Sequence, residues 1–315
     1  MNKSDLLKIS QEIRDIITEK QKEMELTFIE DTHTYHIRKS DGEMTTDYPS
    51  VSTVIGQFYT PFPDVQKSFE MSEGCLMSQD VLLKEWRATA DYANSQGSRV
   101  HYLLEMKLLE MYGSYKEVRQ PIFDCNDEQI KNGDIMIEGG LDFIKEMHKR
   151  GAVLLDTEMV LGSQGLKYTG QPDKVWLMLD KNGNLGIVIT DWKTNKPKNF
   201  EVQPYTEKML NPFEEYYDTA LSHYMIQLPL YGRLLLDMLK GTKYEGIKFL
   251  GCVIVHLLHE GVHKYVEYRI PKKFMNTVLT MNPLPRIKYV KQQKKEAELL
   301  EKRRQFALDM YLGLI

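Results

Sequence analysis

Apolar residues recur at helical spacing at the start of the chain and again at several later places. Residues 4–24 show this spacing behind Ser4, a suitable N-cap, and predict an amphipathic helix that packs on the body of the protein. The same reasoning predicts helices over residues 51–57, 81–94, 97–111, 129–150 and 224–239, and a mainly helical tail from residue 272.

Alternating and β-branched runs predict strands between these helices. Residues 27–37 and a second piece ending near residue 48 flank a Ser-Asp-Gly turn and predict a hairpin. Further strands are predicted over residues 153–161, 174–179, 185–192, 247–258 and 264–270. Because a turn at residues 180–183 joins two of them, we expect an antiparallel pair there. The order predicts an α/β or α+β core, with a central mixed sheet flanked by helices.

Length and composition fit one large core or a core with a smaller subdomain, since the chain has 315 residues and is 42% hydrophobic. We expect a helical extension over 1–26, a main domain over 27–271 and a helical tail over 272–315. Within the main domain, 27–150 would hold the hairpin and helices, and 151–271 the catalytic core. No run of about 18 apolar residues occurs, so we expect an intracellular, cytoplasmic protein without a membrane partner.

Charge and cysteine content narrow the classes of partner. A net charge of −4 argues against a protein that coats nucleic acid through bulk charge, although local basic patches remain open. Residues 286–304 carry eight Lys or Arg against three Glu and fit a solvated helix face or such a patch. The three cysteines form no Cys-x-x-Cys pair, so neither a zinc site nor an iron–sulfur cluster is predicted.

The residues best suited to carry out a reaction lie between positions 170 and 194. Asp173 follows a turn, and Asp191 and Lys193 are two residues apart on a predicted strand, so their side chains leave the same face. Two carboxylates suit a hard divalent cation, and a neighbouring lysine can orient or deprotonate a water and offset charge. Alone, Asp-x-Lys is common and equally fits a surface ion pair.

Four motifs in order resemble the PD-(D/E)XK nuclease superfamily. More narrowly, the chain is similar to its RecB-type exonuclease branch, which includes phage members, CRISPR-adaptation nucleases and the mitochondrial genome maintenance exonuclease. The resemblance covers residues 27–258 and is carried by these residues: Gly97 and His101; Gln171, Pro172 and Asp173; Asp191, Trp192 and Lys193; Gln227 and Tyr231.

This resemblance implies a restriction-endonuclease-like core that binds Mg²⁺ or Mn²⁺. Asp173 and Asp191 would hold the metal, with the backbone carbonyl of Trp192 and with His101 as a further ligand or neighbour. Lys193 would be the catalytic lysine. A histidine ligand favours tolerance of manganese.

Other candidates carry open alternatives. Glu158 lies in the predicted strand before the turn and would line the site, or would face outward as an ordinary strand residue. Glu105 follows His101 by one turn and would orient it or face solvent. Gln227 and Tyr231 would contact the DNA backbone or support the lysine, but Pro229 between them requires a bent helix or one that begins near residue 228.

The segment over residues 195–217 follows the predicted catalytic strand and interleaves aromatic residues with lysines. This composition suits stacking on unpaired bases and tracking of phosphates, or a packed loop over the site. We favour a lid or strand guide.

The leading interpretation is a metal-dependent DNA exonuclease acting on linear or single-stranded DNA in recombination, repair or genome processing. An endonuclease of the same fold and a non-catalytic DNA-binding or scaffold protein are the alternatives. DNA and recombination or replication proteins would be the partners; if phage-encoded, the chain would work in the host cytoplasm. No phosphate-binding Gly-x-x-x-x-Gly-Lys-Ser/Thr loop occurs, so no nucleotide cofactor is expected.

Overall fold

Five strands form a mixed sheet in the centre of the protein. The computed structural model describes residues 1–75, 77–113 and 123–282. The helices within these ranges are α1 Lys3–Glu23, α2 Val51–Ile55, α3 Asp64–Gly74, α4 Gln79–Tyr112, α5 Asp127–Lys149, α6 Ala220–Met238 and α7 Lys272–Thr280. The strands are β1 Thr27–Ile29, β2 Thr34–Arg38, β3 Met44–Thr45, β4 Val153–Thr157, β5 Leu161–Ser163, β6 Tyr168–Gly170, β7 Lys174–Leu179, β8 Leu185–Lys193, β9 Lys248–Leu257 and β10 Tyr265–Arg269.

The central sheet has the strand order β10-β9-β8-β7-β4. Strands β7 and β8 form the predicted antiparallel hairpin, whereas β8 and β9 run parallel and are joined through α6. Strand β8 is buried along most of its length because helices cover both faces of the sheet. One face packs mainly against α6, and the other packs against α4 and α5. This confirms the expected mixed sheet flanked by helices.

Helix α1 protects the edge strand β4. The Ser10 hydroxyl donates to the Leu154 carbonyl at 2.9 Å, and Arg14 donates to the Leu155 carbonyl at 3.0 Å. These bonds satisfy backbone groups that an open sheet edge would expose. The first helix therefore packs on the body, as its apolar spacing predicts. No helix in the described ranges combines the length and the apolar character that crossing a bilayer requires.

Several predicted boundaries are wrong. The strand predicted over 153–161 ends at Thr157, and β5 pairs with β6 in a separate two-stranded sheet. The strand predicted over 27–37 is interrupted by a 3₁₀ turn at Glu30–Thr32, so the hairpin is a three-stranded sheet of β1, β2 and β3. The two helices predicted over 81–111 are one continuous helix, α4.

Helix α6 begins nine residues before Pro229, since its first residue is Ala220 and Thr219 caps it. The alternative of a helix that begins near residue 228 is therefore wrong. Pro229 lies in the helix interior, where it lacks the N–H that would bond one turn back. The predicted tail after residue 282, including the basic stretch over 286–304, lies outside the described residues.

Candidate active site

The β7–β8 hairpin brings the two predicted carboxylates together. Lys174 pairs with Thr190 in this antiparallel ladder, and the same register continued by one residue sets Asp173 opposite Asp191. Side chains directly opposite each other leave the same face of a sheet. Lys193 is two residues beyond Asp191 and shares that face, which is covered by α6.

Asp191 is a buried carboxylate with little hydrogen bonding. Its side chain is 3% exposed, and its Oδ2 atom lies 2.5 Å from Lys193 Nζ. Nevertheless, no described residue gives Oδ2 a hydrogen bond of acceptable geometry. Burial and the negative charge of Asp173 raise the pKa of Asp191 to about 6. The Lys193 ammonium offsets part of the cost of burying this carboxylate.

Asp173 has more donors around it than Asp191. Its Oδ2 accepts from the Trp192 backbone N–H at 3.2 Å and lies 3.2 Å from His101 Nδ1 and 3.5 Å from Lys174 Nζ. Burial alone would raise the pKa of Asp173, but Lys174, His101 and Lys193 hold it well below its ordinary value. This carboxylate is consequently ionised at neutral pH.

Lys193 is held between a carboxylate and an aromatic ring. Its Nζ lies 4.1 Å from the centre of the Tyr224 ring, in addition to the Asp191 contact. Burial would lower the pKa of Lys193, but Asp191 and Asp173 raise it above the usual value. In this arrangement the side chain is an ammonium ion, which favours the charge-offsetting and orienting roles over removal of a proton from water.

Helix α4 approaches the end of β8 at Gly97. A Cβ atom at this position would lie 2.9 Å from Thr194 Oγ1, so glycine allows this close approach. His101 is one turn further along and reaches Asp173. Glu105, one more turn along, accepts from the Thr157 hydroxyl at 2.9 Å and is buried. Glu105 therefore anchors α4 to the end of β4, and the solvent-facing alternative is wrong.

Glu158 lies just after β4 rather than within a strand, which corrects its predicted setting. Its backbone has φ of +45°, and its N–H donates to the Asp173 carbonyl at 3.0 Å. Gln171 donates from its side chain to the Glu158 carbonyl at 3.2 Å. These backbone contacts turn the Glu158 side chain into the same cleft as Asp173 and Lys193.

The predicted pair on α6 is only partly at the cleft. Gln227 donates to the Tyr231 hydroxyl at 2.9 Å, and Tyr231 lines the cleft but is 5% exposed. Tyr231 packs closely over Gly170, where a Cβ would come within 2.6 Å of its ring. Tyr224 is instead the α6 residue that contacts Lys193. Its spacing from Gln227 and Tyr231 is the sequence signal that could have identified it.

Most residues of the loop over 195–217 are exposed, but two of its phenylalanines are packed against the core. Phe200 stacks on His256 with ring centres 4.1 Å apart, and Phe213 stacks on Phe274 at 4.8 Å. Because both phenylalanines are buried, the prediction that they stack on unpaired bases is wrong. Tyr205 is an exception, since it is 83% exposed.

The site residues open onto a cleft of about 860 Å³. One wall is contributed by β1, β2 and the turn between them, and another by α4. His101, Glu158, Asp173 and Lys193 line this cleft, together with Trp192. Asp191 lies beneath Lys193 at the base.

The donors present fit a hard divalent cation. Two opposed carboxylates carry repelling charges, and one has a buried oxygen that lacks a directed hydrogen bond. Within residues 1–75, 77–113 and 123–282, no three His, Cys, Asp or Glu side chains are grouped as a cage that could hold a metal ion. Magnesium is usually bound through one or two carboxylates with waters and substrate phosphates, so a complete cage is not required.

Comparisons with known proteins do not assign this chain to a family. A scan against known protein families finds no match, and a search of curated proteins finds no relative.

Proposed function

We propose that this chain is a divalent-metal-dependent deoxyribonuclease of the PD-(D/E)XK type, acting at the ends of linear or single-stranded DNA. The observation that supports it most strongly is the convergence of Asp173, Asp191 and Lys193 at one end of the β7–β8 hairpin, beside an open cleft. The mixed sheet flanked by helices is consistent with the restriction-endonuclease-like core that the motifs imply.

The residues suited to hold Mg²⁺ or Mn²⁺ are Asp173 and Asp191, with the Trp192 carbonyl and His101 as further ligands or neighbours. Such a cation supplies a more acidic bound water and stabilises charge on the phosphate. The Lys193 ammonium would offset negative charge that develops on the scissile phosphate and orient the attacking water. Glu158, in the same cleft, would accept a hydrogen bond from that water.

The test is hydrolysis of linear and circular DNA, each single- and double-stranded, with Mg²⁺ or Mn²⁺ and with RNA in parallel. We expect linear DNA to be degraded and circles to persist. Asp191→Asn and Lys193→Ala should abolish this activity. Lys181→Ala is the matched control, because Lys181 is exposed in the turn at the other end of the same hairpin.

Each other outcome has a distinct meaning. Cleavage of circular DNA would replace the exonuclease proposal with an endonuclease of the same fold. Binding of DNA without metal-dependent cleavage of any substrate would favour the non-catalytic DNA-binding protein and would contradict both enzyme proposals. Cleavage of RNA in preference to DNA would change the substrate class.

A further inference from the structure

The cleft has an aromatic wall that the metal chemistry does not use. Phe28, His33 and Tyr35 come from β1, β2 and the turn between them, and all three line the cleft. The Phe28 and Tyr35 rings are 4.6 Å apart, and the His33 ring meets Phe28 edge-on at 5.6 Å. We name these three residues the aromatic wall.

The wall is held in place by its own turn. His33 has φ of +49°, a left-handed conformation that is unfavourable for a side chain with a Cβ. Its backbone N–H and its ring Nδ1 both contact the Glu30 carbonyl, at 3.1 and 2.9 Å. Burial and the charge of Glu158 raise the pKa of Tyr35, so its phenol stays neutral. The surface is therefore aromatic and preorganised.

Helix α4 also lines the cleft, in part with small side chains. Ala93, Asn94, Gly97 and Ser98 of α4 line the cleft, and all four are small. A volume of about 860 Å³ lies in the range of sites that take small molecules, about 300–1,000 Å³. Such a space suits a few nucleotides of a single strand.

The chemistry of the wall favours a base over a phosphate. Among its cleft-lining residues, the β1–β2 region contributes aromatic rings and Glu30 but neither lysine nor arginine. Phosphates are attracted by cations, whereas bases stack on aromatic faces whatever their sequence. Lys193 and Asp173, from the β7–β8 hairpin, line the same cleft, so the cleft offers a cationic group for a phosphate and aromatic rings for a base.

We propose that the aromatic wall binds an unpaired nucleobase next to the scissile phosphate, so that DNA enters the cleft as a single strand. This inference rests on the proposed nuclease function. It assigns the binding subsite to Phe28, His33 and Tyr35, which line the same cleft as Lys193.

The test is fluorescence anisotropy with labelled dT20 and with an abasic 20-mer of the same charge, in Ca²⁺. Removing one base–aromatic stack typically weakens binding by about fivefold or more. We expect wild type to bind dT20 at least about fivefold more tightly than the abasic strand, and Phe28→Ala to bind both alike. A blunt duplex should compete poorly, because its bases are already stacked.

Phe62→Ala is the matched control, since Phe62 is 66% exposed and lies outside the cleft-lining set. It should keep the wild-type preference. Phe28→Leu preserves apolar volume without a ring face, so it tests the same point if the alanine variant does not fold.

A wild type with no preference for dT20, a Phe28→Leu variant that retains the full preference, or effective competition by blunt duplex would each overturn the inference. Because binding is measured without cleavage, failure of the base-binding inference can be distinguished from failure of the nuclease proposal. If the protein degrades DNA but shows no preference for strands with bases, only the base-binding role of the aromatic wall is rejected.

Discussion

Lys174 and Lys193 lie near the same end of the central sheet but leave its two opposite faces. Each has a carboxylate on one side and an aromatic ring on the other. Lys193 Nζ lies 2.5 Å from Asp191 and 4.1 Å from the centre of the Tyr224 ring. Its side chain is 15% exposed and lines the cleft.

Lys174 has similar neighbours and a different environment. Its Nζ lies 3.5 Å from Asp173 and 4.7 Å from the centre of the Trp192 ring, and only 1% of its side chain is exposed. Lys174 therefore meets the site from beneath the cleft lining, through Asp173, whose charge it helps to hold, and through the Trp192 ring. The comparison teaches that access to the cleft, rather than the pairing itself, distinguishes a reactive lysine from a supporting one.

The largest expected effect is that of replacing Lys193, the lysine that reaches the cleft. Lys193→Met keeps much of the side-chain volume and removes the ammonium, so the proposed transition state loses its charge partner. We expect the rate of DNA cleavage to fall by about 10²–10³-fold, the usual result of removing one such electrostatic contact. Single-turnover cleavage at saturating metal is the measurement.

The control for this variant is Lys181→Met, which changes an exposed lysine of the same hairpin. It should cleave at the wild-type rate. Retention of more than a tenth of the wild-type rate by Lys193→Met would contradict the role assigned to the ammonium.

Compared with Lys193→Met, Lys174→Met should lower the free energy of unfolding more and the rate of cleavage less. Removing one member of a buried ion pair commonly costs about 3–5 kcal/mol, and we expect about 3 kcal/mol because Asp173 keeps two other donors. Chemical denaturation should show this loss in the free energy of unfolding. Residual cleavage by the folded fraction should exceed that of Lys193→Met.

A stability of Lys174→Met equal to that of Lys181→Met would show that the buried pair contributes nothing. Cleavage lower than that of Lys193→Met would make Lys174 the functional lysine and would invert the comparison.

Much of the sheet could be predicted because its strands follow local patterns. The alternation and the Asp-Lys-Asn-Gly turn predict β7 and β8, and this hairpin alone brings Asp173 opposite Asp191. Local patterns failed to predict features that depend on packing between distant parts of the chain. Pro229 is tolerated in the middle of α6 because the helix is buried against the sheet, and propensity carries no information on that burial.

Site residues supplied by distant elements were harder to predict. Lys174 follows Asp173 directly, yet its role depends on the Trp192 ring across the ladder. Tyr224 shares helical spacing with Gln227 and Tyr231, but the position of α6 above β8 is what brings it to Lys193. Spacing along one element can suggest such residues, but the fold decides which partner they contact.

A smaller effect tests how the lysine is held. Tyr224→Leu removes the ring beside Lys193 and with it a cation–π contact typically worth about 0.5–2 kcal/mol. We expect cleavage to slow by roughly 3- to 30-fold. Tyr224→Phe keeps the ring but loses the 2.9 Å hydrogen bond to Asn195, so it should be less impaired. Equal loss in both variants would assign the effect to that hydrogen bond instead.

The smallest effect concerns the approach of α4 to the site. Gly97→Ala places a methyl group 2.9 Å from Thr194 Oγ1, so the Thr194 side chain, the helix or the end of the strand must shift, and we expect His101 to move with the helix. We expect cleavage to fall by about two- to fivefold, while the better helix propensity of alanine, about 1 kcal/mol, offsets the cost in stability.

Thr194→Ala removes the opposing oxygen and provides the matched rescue. In the double variant, the methyl group at position 97 has room, so cleavage should return to the level of Thr194→Ala alone. The double-mutant cycle thus measures the coupling between helix and strand end directly. Additive losses would show that the close approach of Gly97 to Thr194 does not position His101.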